Sequence, residues 1–113
     1  SARVSFYDSS TGTQILEDGT IYATFDGATV QRLHEGQSAY LQLTGNEGQT
    51  QTIDARILEL DRETNLVTLI PVVDVSFYGQ LMSAKTLNVT VVIDQVSPLS
   101  LLLRAAGLSS ANG

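Results

Sequence analysis

At 113 residues, 42% hydrophobic and 16% charged, the chain has the composition of one globular domain and not of a disordered segment. A net charge of −6 argues against a nucleic-acid backbone or an anionic membrane surface as the main partner. The lack of cysteine excludes a disulfide scaffold, a thiol nucleophile and thiolate metal sites; no stretch approaches the roughly 18 apolar residues of a membrane-spanning helix.

The chain starts at Ser1 with no initiator methionine and no signal peptide, which suits a domain excised from a longer protein. Residues 1–16 read as two short strands folded into a hairpin, with Val4 and Phe6 on one face and the polar run at residues 8–12 as the turn. Glu17, Asp18 and Gly19 make a second turn. Residues 20–25 alternate, with Ile21, Ala23 and Phe25 on one side, as in a half-buried antiparallel strand. Asp26 is placed to cap a short helical turn through its carboxylate, Val30 and Leu33 share a face, and Gly36 suits a left-handed helix end. Ala39, Leu41 and Leu43 then mark another inward-facing strand, followed by a polar hairpin loop at residues 44–49.

The next strand is long, and its apolar phase slips from Ile53, Ala55 and Ile57 to Leu58 and Leu60, the mark of a bulge. A turn at residues 61–65 leads to a nearly all-apolar strand at residues 66–73, expected to be covered on both faces. Pro71 in it marks an edge or a bulge. Residues 74–84 carry apolar anchors at Phe77, Tyr78 and Leu81 and a break at Gly79. Leu87, Val89, Val91 and Ile93 define the cleanest strand. The period then becomes helical, with Ser97 as cap, Pro98 at the first position and Leu99, Leu102, Leu103 and Ala106 following. The predicted fold is an all-β, small antiparallel barrel of about six strands, with one short helical turn and a short C-terminal helix. Residues 1–107 form the single domain and residues 108–113 a flexible tail.

Reactive chemistry is sparse. His34 is the single histidine; a triad with Ser38 and Asp54 is conceivable, but no strained nucleophile turn supports it. The Asp-Ser/Thr-Gly turn of a dimeric aspartic protease is missing at both Asp8 and Asp26. Asp61, Glu63 and Asn65 offer oxygen ligands at a spacing unlike a helix–loop–helix calcium site. Tyr22 and Tyr40 lie on polar strand faces and would form a sugar-binding pair if those strands were neighbours. The residues therefore indicate no enzyme, no cofactor and no metal.

From residue 20 to residue 43 the chain resembles the β-barrel domain of membrane-fusion proteins, the periplasmic adaptors of efflux pumps and haemolysin-type secretion systems. The likeness lies in an alternating strand (IYATF), a helical turn (DGATVQ), the element RLHEGQ and a second alternating strand (SAYLQL). It extends through IDARILEL and residues 87–93 to the Leu-rich SLLLRAAG, so residues 21–107 are covered. The family's usual Gly-Met-like turn is replaced by Leu81, Met82, Ser83, Ala84 and Lys85.

The resemblance implies a non-catalytic structural and protein-interaction domain on the periplasmic or extracytoplasmic side of a bacterial membrane. Its partners would be neighbouring adaptor protomers in a homo-oligomer, a transporter or an outer channel, with no nucleic acid and no span of its own. Phe77, Tyr78, Leu81, Leu101 and Leu103 are the candidate contacts. The alternatives are a virion or surface-assembly β-domain and a carbohydrate-binding β-sandwich.

Overall fold

A computed structural model describes the main chain of residues 3–96 and the side chains of residues 7–93. The expected C-terminal helix and tail, with Leu101 and Leu103, lie outside the described residues, as do the side chains of Val4 and Phe6.

Seven strands, β1 (Arg3–Ser9), β2 (Gly12–Ile15), β3 (Ile21–Thr24), β4 (Ser38–Thr44), β5 (Thr50–Asp61), β6 (Leu66–Pro71) and β7 (Thr86–Val96), form one antiparallel sheet. Its order is β1-β7-β4-β5-β6-β3-β2. The sheet curls into a partly closed barrel, so the all-β barrel is the fold. The sheet has seven strands where about six are expected, and the first extended segment is divided between two of them.

That break corrects the expected N-terminal hairpin. β1 pairs with β7 and β2 with β3, at opposite edges of the sheet. Between them, the Ser10 N–H donates to Val89 O and the Thr11 N–H to Thr24 O, both at 2.8 Å. The polar run has turn composition, but the Ser10 and Thr11 N–H groups find carbonyls on two different strands. The chain therefore stays extended and crosses from one edge to the other, curling the sheet.

The inward alternation is as read from the sequence. Ile21, Ala23 and Phe25 from β3 and its end, Ala39, Leu41 and Leu43 from β4, Ile53, Ala55 and Ile57 from β5, Val67 and Leu69 from β6, and Val89, Val91 and Ile93 from β7 form one buried cluster. The bulge falls where the phase slips: the β5–β6 register shifts between Ile57 and Glu59. Leu58 is thrown outward, 49% exposed, while Leu60 swings back against the core.

Residues 66–73 are covered on one face only, contrary to the expectation from their composition. Val67, Leu69 and Pro71 are buried, whereas Ile70 and Val72 are exposed. Pro71 pairs with Ala55 beyond Leu69, the last β6 residue that β3 reaches, so its missing N–H breaks no β3 ladder.

Two helical pieces pack against the core of the barrel. α1 (Gly27–Val30) buries Val30, and Leu33 follows it into the core. Asp26 caps α1 through its main-chain carbonyl, which accepts from Thr29 and Val30 N–H, and not through its carboxylate as expected. The buried Thr29 hydroxyl donates to the Asp8 carboxylate, which ties α1 to β1.

A 3-10 turn at Val75–Phe77 runs directly into α2 (Tyr78–Ser83). Gly79, expected as a break, sits inside α2: it is exposed, so a missing side chain costs no packing there. Leu81, 2% exposed, is the anchor that holds this helix to the barrel.

Candidate functional site

Among the described residues, a heavily tied segment is the corner at residues 32–37, between α1 and β4. The Gly36 N–H donates to Ile57 O (2.7 Å), and the Ile57 N–H returns a bond to Gln37 O (2.9 Å). The Gln37 carboxamide accepts from the His34 N–H (3.1 Å) and donates to Val92 O (3.0 Å). Two guanidinium groups hold the same corner: Arg56 donates to Gly36 O (3.0 Å) and Arg62 to Leu33 O (2.9 Å). Gly36 is left-handed, φ 83°, but it belongs to the 34–37 turn, where Gln37 N–H donates to His34 O; the helix end itself is Gln31.

This corner opens onto the outer face of the sheet. The registers place Tyr7 across from Val92 and Tyr40 across from Thr90 on β7. On β5, Arg56 stands across from both Ser38 and Ile70, and Asp54 across from Tyr40. Val72, just past β6, bonds to the same Asp54 through its N–H. A shallow depression here is lined by Arg32, His34, Gln37, Ser38, Tyr40 and Val92. Tyr7 is 71% exposed, and Tyr40, Leu58, Ile70 and Val72 are all exposed large hydrophobics of this face. Of these, Tyr7 and Tyr40, interleaved with Arg56, are residue types enriched at protein contacts.

The structure brings some of the sequence candidates together and separates others. His34 and Ser38 line one depression, and Asp54 lies on the neighbouring strand. The His34 main chain and the Gln37 side chain make the bonds there; among the described residues no hydrogen bond joins the imidazole to Ser38 or Asp54. Tyr22 and Tyr40 are not neighbours, because β5 and β6 stand between their strands. Tyr22 faces Thr68 and Gln14 instead, so the sugar-binding pair does not form. Of the three oxygen ligands at residues 61–65, the Asp61 carboxylate accepts the Glu63 and Thr64 N–H groups, and Asn65 takes a left-handed conformation that passes its carbonyl to the Phe25 N–H.

Of the candidate contact residues, Leu81 points into the core. Tyr78 packs on that core, with its ring against Gly19, and Phe77 is half-buried. The outer row of Tyr7, Val92, Arg56 and Ile70 was not singled out in the sequence. Its members share a surface only through cross-strand register, which strand order supplies and alternation alone does not.

The Glu63 N–H holds the Asp61 carboxyl below its usual range, as the Thr20 N–H does for Asp18. A group whose folded pKa is lowered adds stability above its unfolded value, about 3.9, and loses it as pH falls through the lower folded value. Asp61→Asn keeps an oxygen that accepts the same N–H bonds but cannot titrate. The variant is expected to lack that extra stability near neutral pH and to converge on the parent as pH falls below about 4. Urea midpoints across that range check this; parallel acid limbs would contradict it.

Comparisons with protein-family models, with curated proteins and with solved structures find no match to this chain.

Proposed function

We propose that this barrel is a non-catalytic protein-interaction domain whose working surface is the outer face around Ser38. The supporting observation is the set of exposed large side chains, Tyr7, Tyr40, Leu58, Ile70 and Val72, on a sheet whose inner face is already filled. The registers set these groups on one face with Ser38, Asp54 and Arg56 between them, a mixture of aromatic, aliphatic and arginine side chains that suits a contact surface. A periplasmic adaptor of a secretion or efflux complex is the setting that the sequence likeness of residues 21–107 suggests. There the barrel would act by contact with neighbouring protomers, a transporter or a channel.

Hydroxyl-radical footprinting tests this, run on the purified chain and on the same chain in the cells that make it. Tyr7, Tyr40, Leu58 and Ile70 are expected to react in the purified chain and to be protected in the cell. Val75 and Met82, exposed on the helical segment, serve as internal references. Equal reactivity of the outer face in both settings would refute the reading. Sedimentation of the purified chain separates the self-assembling alternative: a stable ring or trimer of this chain alone would favour it over an adaptor.

A further inference from the structure

The partner's chemistry can be taken one step further, on the basis of the interaction reading above. In a chain of net charge −6, the cations are unevenly placed. Among the basic side chains between residues 7 and 93, Arg32 lies in the corner at residues 32–37, and Arg56 and Arg62 reach it by hydrogen bonds. His34 belongs to the same corner. Lys85 stands apart, at the start of β7, where its N–H donates to Thr44 O.

Arg62 lies beside Glu59, Asp61 and Glu63 in a separate depression, and these neutralise its field. Arg32 and His34 instead share their depression with Ser38, Tyr40 and Val92, with Arg56 directly across from Ser38. Among the described side chains, Glu35 lies in the corner itself and Asp54 two residues along β5 from Arg56; both are exposed. Arg56 spends one amino group on Gly36 O and keeps the rest of its planar fork for a carboxylate, which it fits in bidentate fashion. The corner is bound to β5 and β7 before any ligand arrives, so ordering it costs little at the moment of association.

We propose that Arg32, His34 and Arg56, flanked by Tyr40 and Val92, bind an acidic segment of a partner protein. Its carboxylates sit on the arginines, and an apolar side chain lies against Tyr40 and Val92. Elsewhere the surface is predominantly acidic and repels such a segment, so the corner is selected by charge as well as by shape.

The test is a titration of the isotope-labelled full chain, followed through its amide resonances. One synthetic peptide alternates Glu and Phe, a second has Lys for Glu, and a short oligothymidylate is the third ligand. The Glu peptide is expected to shift residues 32–38, Arg56 and residues 90–92 saturably, and the Lys peptide to leave them unmoved. The double variant Arg32→Glu/Arg56→Glu should weaken binding at least about tenfold, and added salt should weaken it further. Because Arg56 also holds Gly36 O, Arg32→Glu alone is the second variant: it removes no main-chain tie and should still weaken binding severalfold.

Equal binding of the Lys peptide, tighter binding of the oligothymidylate, or shifts confined to another face would each overturn the proposal. Protection of the outer face in cells together with no Glu-peptide binding would refute the acidic segment and leave the interaction reading standing. Peptide binding without protection in cells would instead remove the interaction reading.

Discussion

Leu41→Ala is expected to lower the unfolding free energy by about 3 kcal/mol, within the range of roughly 2–5 kcal/mol for truncating a buried leucine. Leu41 is fully buried, and it sits near the middle of β4 with Ile53 across from it on one side and Val89 on the other. Neighbours on paired strands cannot collapse into the hole without breaking their ladders, so little of the cost is relieved. Domains of this size hold roughly 5–15 kcal/mol in total, so the loss is a large share of the whole. Leu58→Ala is the matched control. It deletes the same atoms from the outward bulge, where Leu58 is half exposed, and should cost less than about 1 kcal/mol. Urea denaturation of both variants, with slopes equal to the parent's, would establish the difference. Equal costs would mean that β4 does not run through the centre of the core.

The two outcomes also divide what was legible in the sequence from what was not. Alternation alone places Leu41 in the core, with Ile21, Ala23, Ile53, Val89 and Val91, because a strand with one wet face writes its period into the chain. The bulge was legible for the same reason, since a two-residue period that slips has few physical causes. Residues 66–73 are ambiguous in the sequence because an apolar run does not say which of its faces is covered; Ile70 and Val72 show that the outer one is not. Strand order was not legible. A polar run such as residues 8–12 has turn composition whether the chain reverses or crosses to the far edge, and only long-range pairing decides which.

The candidate site follows from that order. The corner at residues 32–37 was visible as a punctuated turn, but Arg56 is 20 residues from Gly36 in sequence and Val92 is 55 from Gln37. No local pattern links positions so distant. The residue that drew notice for its chemistry, His34, lies in the same depression as Arg32 and Tyr40. Its neighbours suit recognition of a charged group, and its own hydrogen bond there is a main-chain one that holds the turn.

The helical segment at residues 75–83 was the least legible part, and Gly19→Ala tests how it is attached. Gly19 closes the turn between β2 and β3 with φ 91°, a conformation that costs an alanine about 1–2 kcal/mol. A β-carbon there would also stand 2.6 Å from Tyr78 Cε2 and 2.9 Å from Cζ, inside contact distance with a ring packed on the core. The ring must swing away, and overpacking of this kind adds roughly 1–3 kcal/mol. Gly36→Ala supplies the reference, because Gly36 has a similar φ of 83° and open space around its β-carbon position. Gly19→Ala should therefore cost about 3 kcal/mol and Gly36→Ala about 1 kcal/mol. In a Tyr78→Ala background the cost of Gly19→Ala should fall to that of Gly36→Ala, a coupling of about 1–2 kcal/mol between turn and helix. Additive effects in that cycle, read from urea midpoints, would show that Tyr78 does not rest on the turn and that α2 is held to the barrel by Leu81 alone.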